Sequence, residues 1–221
     1  LGIANQEEST RKGREAVAQT GVKVLVCFPK RAADGLAHLA RLARVFYVER
    51  DPSVRDMLKR GYAAIAGAER AAASVPALKT FCPIWMTPLM TIHGATFISD
   101  MLALAGAQNV FANRERKYPL AADLGTARPL PEAELAGRDI RYPRITMEEV
   151  VAHQPELVLL PDEPHPFTEE DAEELRKLDI PAAKRNAIVR TGGKDLCWYG
   201  ARTVAGLPRV RALVDSFRGA T

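Results

Sequence analysis

The sequence predicts an α/β fold, with two α/β lobes joined by a long rigid backbone helix and with the first lobe incomplete. Short apolar runs rich in β-branched residues alternate with segments of helical periodicity, as in folds where helices pack on a mostly parallel sheet. One alanine-rich helical segment is far longer than the others, and only two strand-like runs precede it, too few for an independent sheet. The predicted division is residues 1–50, the connecting helix 51–76 and residues 77–221.

The first lobe has the pattern β-α-β-α. Residues 1–4 form a short apolar run, and Ser9 or Thr10 can cap a helix that runs to about residue 19. Residues 22–28 are nearly continuous in apolar side chains, which predicts a parallel strand covered on both faces. Residues 32–45 return to helical spacing and complete the unit.

The connecting helix begins at a strong start signal. Asp51 can cap it and Pro52 suits the first helical position. The helix is expected to run to about residue 74, a length of about 34 Å at 1.5 Å per residue. Its alanines allow close packing, so we predict a rigid connector between the lobes. The alternative, an ordinary bundle helix, lacks partner helices in the sequence pattern.

The second lobe opens with an apolar run, residues 80–85, which predicts one buried strand. Thr96 can cap the helix that follows, and Gly106 is placed to end it. Residues 113–141 are polar and broken by prolines, which predicts an irregular excursion with one short helix at 132–136.

The rest of the second lobe alternates helices and strands. Thr146 and Glu149 form a capping box, as in S/T-x-x-E, and Thr168 with Asp171 can cap a later helix. The predicted elements are strands at 156–160 and 187–190, a helix at 169–178, and a terminal helix at 202–217 that bends or restarts at Pro208.

Composition narrows the function classes. The chain has 31 basic and 27 acidic residues, a net charge of +4, and they are scattered without a basic stripe, so no nucleic-acid partner is predicted. Cys27, Cys82 and Cys197 lie in apolar or aromatic runs without metal-ligand spacing, which predicts buried free thiols. No apolar run is long enough for a membrane span, and no secretory signal is present. Because the first residue is Leu1, we expect that the chain does not begin at its own translation start.

Aromatic side chains recur in three loops that follow predicted strands of the second lobe, and both tryptophans lie there. Carboxyl ends of parallel strands meet at one sheet edge, so these side chains should converge on a cleft suited to a large, flat, partly apolar ligand. The alternative is that the tryptophans only plug the rim of the core. The predicted ligand-binding residues of the three loops are Trp85, Met86, Glu163, His165, Phe167, Trp198 and Tyr199.

No catalytic or metal-binding constellation is predicted. His93 and His165 each lack a second ligand at a recognised spacing, so a structural role is favoured for both. Glu163 adjoins Asp162, but neighbouring residues on a proline-bounded loop point apart. No nucleophile elbow, phosphate-binding glycine loop or zinc signature occurs. The residues alone therefore indicate a non-enzymatic α/β binding cleft without a cofactor.

Five stretches carry a resemblance to a known family. They are IWMTPLMT (84–91), TFISDMLALAGAQNVF (96–111), YPRITMEEVVAHQPELVLL (142–160), PDEPHPF (161–167) and WYGART (198–203). Together they resemble the helical-backbone (class III) substrate-binding proteins of ABC importers. The similarity is closest to the cobalamin-binding periplasmic proteins, whose relatives bind haem and iron–siderophores.

The resemblance implies roles for individual residues. Tyr142 falls where cobalamin binders place an aromatic against the corrin, and Glu148 falls where the family docks on its permease. Trp85, Glu163, Trp198 and Tyr199 fall on loops that line the cleft. In the first lobe, Asn5 stands where a cobalamin binder has a cleft aromatic, and Phe28 completes the expected ligand-binding set.

The implied function is non-catalytic binding of a corrinoid between two lobes, in a periplasmic or other extracytoplasmic compartment, with an ABC importer permease as partner. One alternative is haem or an iron–siderophore as the ligand. Another is a truncated relative without a transport role that is stable only as an oligomer. The family's first lobe normally begins some tens of residues earlier, so we expect either a fragment or a chain that lacks half a lobe. In the second case a homodimer would cover the exposed sheet edge.

Overall fold

The first lobe, meaning the elements before the long helix, is a βαβα unit in the computed structural model, which describes residues 1–7 and 9–219. Strand β1 (Gly2–Asn5) pairs in parallel with β2 (Val24–Cys27). Helix α1 (Arg11–Gln19) connects them, and α2 (Ala32–Val45) follows. The prediction that β2 is covered on both faces was wrong, since Val26 is 38% exposed. Two strands and two helices provide too little surface to enclose this sheet.

The second lobe is organised on a parallel four-stranded sheet with the order β6-β3-β7-β8. Its strands are β3 (Leu78–Phe81), β6 (Ala107–Asn109), β7 (Leu157–Pro161) and β8 (Ile188–Thr191), and a separate antiparallel pair is formed by β4 (Pro83–Trp85) and β5 (Met90–Thr91). The helices are α3 (Pro52–Ala73), which precedes the lobe, and α4 (Phe97–Leu104), α5 (Leu120–Asp123), α6 (Met147–His153), α7 (Glu169–Arg176), α8 (Pro181–Lys184), α9 (Gly193–Cys197) and α10 (Ala201–Ser216).

The single strand predicted at residues 80–85 is two strands. The parallel strand β3 stops at Phe81, and β4 leaves the sheet to pair with β5. Pro83 has no backbone N–H to donate, so the parallel hydrogen-bond ladder cannot continue through it. The chain therefore turns away, and Trp85 stands on a hairpin beside the sheet instead of in line with it.

Local signals located the helices well. Thr10, Thr96, Thr146 and Thr168 each accept a hydrogen bond from a backbone N–H of the first turn, and the last two belong to complete capping boxes. Gly106, just beyond α4, has a positive φ of 80°. Helices α5, α8 and α9 have four or five residues, too few to show a helical period, and the sequence did not predict them.

None of the described helices is both long and apolar enough to span a membrane.

Helix α3 spans 22 residues, about 33 Å. It packs against α2 of the first lobe and against α4 and α10 of the second, so the expectation that it lacks partner helices was wrong. The lobes also meet directly, because Ala32 at the start of α2 donates its backbone N–H to Asp100 Oδ2 of α4 at 2.8 Å. The partner helices come from both lobes, and the order of elements along the sequence does not show that they pack on α3.

The contact between α2 and the second lobe leaves no room for a side chain at Gly35. A Cβ there would lie 2.8 Å from the backbone nitrogen of Gly200 and 3.0 Å from Tyr199 Cβ. Gly35→Ala is therefore expected to lower the free energy of unfolding by about 1–3 kcal/mol, as overpacking does. A Cβ at Gly67 in α3 would meet nothing within 4 Å. Gly67→Ala should therefore raise the free energy of unfolding by about 1 kcal/mol, because alanine has the higher helix propensity. Urea denaturation of both variants checks this; equal stabilisation by the two would contradict the close interlobe contact.

Candidate functional site

An interlobe cavity of about 620 Å³ is lined by loops and helix α4 of the second lobe and, on the first-lobe side, by Glu7. Most of its wall is apolar, and four charged side chains complete it. The apolar wall consists of Ile84, Trp85, Met90, Phe97, Ile98, Tyr142, Pro164, Cys197 and Trp198, and the charged residues are Glu7, Arg116, Asp139 and Glu163. Four of the sequence-predicted residues, Trp85, Tyr142, Glu163 and Trp198, are thus brought together.

The two tryptophans are held by their indole N–H groups and keep much of their surface open. Trp85 Nε1 donates to the carbonyl of Thr87 at 3.0 Å, and Trp198 Nε1 donates to Glu163 Oε2 at 2.7 Å. Their exposed fractions are 43% and 52%. An anchored but exposed aromatic ring offers a preformed stacking surface. The chain has no other tryptophan, so its indole fluorescence reports on this cavity alone.

Behind Trp85 the predicted residues His165 and Phe167 form a supporting stack. The ring centroids of Trp85 and His165 are 5.1 Å apart, and His165 meets Phe167 edge-on at 4.7 Å. Phe167 is buried, and His165 Nε2 lies 3.5 Å from Asp171 Oδ2. Neither residue lines the cavity. Their position indicates that they orient Trp85.

Three other predicted residues also lie away from the cavity wall. Met86 packs against the hydrophobic core. Tyr199 meets Phe97 edge-on at 6.1 Å, and its hydroxyl lies 3.3 Å from Cys27 Sγ of the first lobe. Asn5 Oδ1 accepts the backbone N–H of Glu7 at 3.1 Å and so holds the turn that carries Glu7.

The Arg141 bridge, formed by Glu7, Asp139, Arg141 and Tyr142, ties the first lobe to the second. Arg141 Nη1 lies 2.7 Å from Glu7 Oε1, and its Nε and Nη2 reach the Asp139 carboxylate at 2.9 and 2.6 Å. The Tyr142 hydroxyl donates to the same oxygen of Glu7. The guanidinium of Arg141 lies 5.1 Å from the Tyr142 ring centroid, so it covers one face of the ring. Only the other face of Tyr142 can stack on a ligand.

Burial and charge fix the protonation of this bridge. Burial by itself would raise the pKa of Asp139, but hydrogen bonds from Arg141 outweigh it and the pKa is lowered. Burial, with the Glu7 carboxylate next in effect, strongly raises the pKa of Tyr142. Near neutral pH, Asp139 is therefore ionised and the Tyr142 hydroxyl keeps the proton it donates. Burial also raises the pKa of Cys197 on the cavity wall to about 12, so its thiol is protonated too.

Phe28 and Glu148 occupy separate surfaces. Phe28 lies beside the Arg141 bridge, with Lys30 Nζ 5.1 Å and the Arg141 guanidinium 4.5 Å from its ring centroid. Glu148 is exposed in the first turn of α6, and a hydrogen bond with Thr146, aided by the helix backbone, lowers its pKa. Neither residue lines the interlobe cavity.

Sequence reasoning missed four charged residues of the site: Glu7, Arg116, Asp139 and Arg141. They lie in turns and in the irregular excursion, where no periodicity shows which way a side chain points. Arg116 is distinctive, because its Nε is buried without a hydrogen-bond partner among the described residues. Its guanidinium lies 5.0 Å from the Tyr118 ring centroid. The described residues contain no group of three His, Cys, Asp or Glu side chains placed to hold a metal ion.

Comparison with known proteins rests on structure, since no family model and no curated protein matches the sequence. The periplasmic vitamin B12-binding protein BtuF of Vibrio cholerae superposes over 98% of this chain and 74% of its own, with a TM-score of 0.70 and 14% identity. The chain has the fold of the helical-backbone substrate-binding proteins. This confirms the α/β fold expected from the resemblance.

Two further structures with the substrate-binding fold superpose equally broadly. The periplasmic haem-binding protein RhuT of Roseiflexus sp. RS-1 covers 98% of this chain and 76% of its own, with a TM-score of 0.71 and 18% identity. IsdE of S. aureus, solved with haem, covers 97% of this chain and 75% of its own, with a TM-score of 0.66 and 12% identity. At these identities the likeness describes the fold, and the division into lobes at residues 50 and 76 stays a prediction.

Proposed function

We propose that this protein is the solute-binding component of an ABC importer and that it holds a metal chelate, with a corrinoid as first candidate, in the interlobe cavity. The observation that carries the proposal is the pair of anchored, half-exposed tryptophans, Trp85 and Trp198, on the wall of a cavity between two lobes. A flat macrocycle offers apolar faces that stack on such rings. Binding is reversible and involves no catalysis. The chain would work outside the cytoplasm.

The size of the cavity sets how each chelate would fit. A volume of 620 Å³ is mid-range for small-molecule sites, which span about 300–1,000 Å³. A haem-sized macrocycle could be largely enclosed. A corrinoid is larger because of its nucleotide arm, so it would place its ring against the tryptophans and extend through the cavity opening. The free face of Tyr142, whose hydroxyl donates to Glu7 of the first lobe, would offer the ring a further stacking surface.

Haem or an iron–siderophore is the second candidate, and Arg116 favours it. This arginine lines the cavity, and its Nε is buried without a hydrogen-bond partner among the described residues. An anionic chelate would supply the missing partner, since a guanidinium binds carboxylates through two parallel hydrogen bonds.

A third candidate is a non-transport relative that is stable only as an oligomer. The exposed Ile3 and Val26 of the first-lobe sheet favour it.

Docking on a permease is proposed to involve Glu148. The side chain is fully exposed and remains ionised, because the Thr146 hydroxyl and the backbone at the start of α6 lower its pKa. An exposed carboxylate of this kind can enter a basic pocket of a membrane partner without leaving a buried group unpaired.

Titration of the chain with haemin, cyanocobalamin and a ferric siderophore, followed by tryptophan fluorescence, tests the proposal. We expect saturable one-to-one quenching by one of them with a micromolar or tighter Kd, because both indoles lie on the cavity wall. Tyr62→Ala, which removes an exposed aromatic from α3, should bind as the unaltered protein does. Absence of quenching by all three chelates in a folded sample would contradict the proposed function.

A further inference from the structure

We propose that a second cavity, adjoining the first, binds a small multiply charged anion through a phosphate or carboxylate group. This basic cavity has a volume of about 330 Å³ and is lined from both lobes by Phe28, Lys30, His93, Arg138, Asp139 and Arg141, among others. It lies on the far side of the Arg141 bridge from the interlobe cavity, and Asp139 is common to both.

The two cavities differ in the sign of their charge. The basic cavity has three lining cations, Lys30, Arg138 and Arg141, and one lining carboxylate, Asp139. Because Arg141 is already paired with Asp139 and Glu7, Lys30 and Arg138 supply the excess positive charge. The wall of the interlobe cavity has the reverse balance, with three carboxylates against one guanidinium. Cavities with low-dielectric walls concentrate ions of opposite charge. An anion should therefore prefer the smaller cavity.

Lys30 and Arg138 have hydrogen-bonding capacity left over. In the part of the chain that the structure describes, the Lys30 ammonium makes no ion pair and lies over Phe28 at 5.1 Å from the ring centroid. Among the described residues, Arg138 donates a hydrogen bond only through its Nε, to the carbonyl of Glu134 at 3.2 Å, and it stacks on Tyr118 at 5.0 Å. The Nη groups of Arg138 and the Lys30 ammonium are thus held by aromatic rings but not neutralised.

His93 adds a directed donor. The backbone N–H of Ala95 donates to His93 Nδ1 at 3.0 Å, so Nδ1 is the acceptor and the ring proton is on Nε2. A neutral imidazole in this tautomer presents an N–H group to a ligand. With Lys30 and Arg138 it forms a set of donors drawn from both lobes, which suits a tetrahedral or carboxylate anion.

The anionic group could belong to a free small ion or to an arm of the chelate in the neighbouring cavity. The chemistry of recognition is the same in both cases. The first source requires no chelate at all. The second makes the basic cavity an extension of the proposed binding site and rests on the proposed function.

Calorimetric titration of the chelate-free chain with inorganic phosphate at constant ionic strength tests the first source. We expect one saturable site, with affinity about tenfold weaker in Lys30→Gln and in Arg138→Gln, since each loses a charge-assisted hydrogen bond. Both side chains are at the surface, so the variants should fold. Lys59→Gln, an exposed lysine of α3, should bind phosphate as the unaltered chain does.

Haemin and its dimethyl ester test the second source. If phosphate alone does not bind, Lys30→Gln and Arg138→Gln should each weaken haemin binding about tenfold and leave binding of the dimethyl ester, which has no ionised propionates, unaffected. The inference is overturned if phosphate does not bind and both variants hold haemin normally. It is also overturned if Lys59→Gln reduces anion binding as much as the other two. If the unaltered chain and both variants bind the ester normally, the proposed function is still supported even when this inference fails.

Discussion

Replacing Trp85 and Trp198 together by alanine is expected to weaken binding of the chelate about a hundredfold or more. Truncating a buried aromatic anchor of a binding site commonly costs about 2 kcal/mol or more, and each 1.4 kcal/mol is a factor of ten in Kd. Both rings are anchored through their N–H groups, so little ordering is required when a ligand stacks on them. Calorimetry measures the loss, since the double variant has no indole fluorescence.

The same variant separates a binding role from a structural one. If the tryptophans only plug the rim of the core, the double variant should lose stability and keep its affinity. The exposed fractions of 43% and 52% argue that the loss of stability will be small. Trp198→Phe is a useful intermediate, because it keeps a ring but leaves Glu163 Oε2 without its indole donor. Unchanged chelate affinity in the double variant would exclude the interlobe cavity as the binding site.

The elements that could be predicted are those that short-range signals specify. Helix α2 has the predicted bounds 32–45, and the threonine caps of α4, α6 and α7 lie where their sequence patterns place them. Such signals involve residues three or four positions apart. The hairpin at Pro83 shows the limit, because an apolar run gives no indication of whether the chain stays in its sheet.

The candidate site was predicted by residue type and not by geometry. The aromatic residues of the three loops that follow predicted strands include Trp85 and Trp198, which line the cavity, but His165 and Phe167 of the loop after β7 lie behind Trp85. The Arg141 bridge could not be predicted, because Glu7 and Arg141 are separated by 134 positions and both lie outside regular elements. Long-range ion pairs leave no period in the sequence. One local hint existed, since Arg141 immediately precedes Tyr142.

Arg114→Met is expected to lower the free energy of unfolding by about 3–5 kcal/mol, the usual cost of breaking a buried ion pair from one side. Arg114 contacts the carboxylates of Asp123 at 3.2 Å and Glu149 at 2.9 Å, and it donates to the carbonyls of Asp123 and Arg144 at 2.8 and 3.1 Å. The side chain of Asp123 is completely buried, so the variant would leave an uncompensated charge. Urea denaturation measures the effect.

Arg60→Met provides the matched control, because Arg60 pairs with Asp56 at 2.9 Å on the surface of α3 with both side chains more than half exposed. Such pairs contribute about 0–1 kcal/mol. Equal losses in the two variants would show that Arg114 does not organise the fold.

If the losses differ as expected, Arg114→Met should also lower the affinity for the chelate. The excursion that Arg114 fastens to α5 and α6 carries Arg116 and Asp139, so an ionic centre, and not the apolar core, holds this wall of the cavity in place.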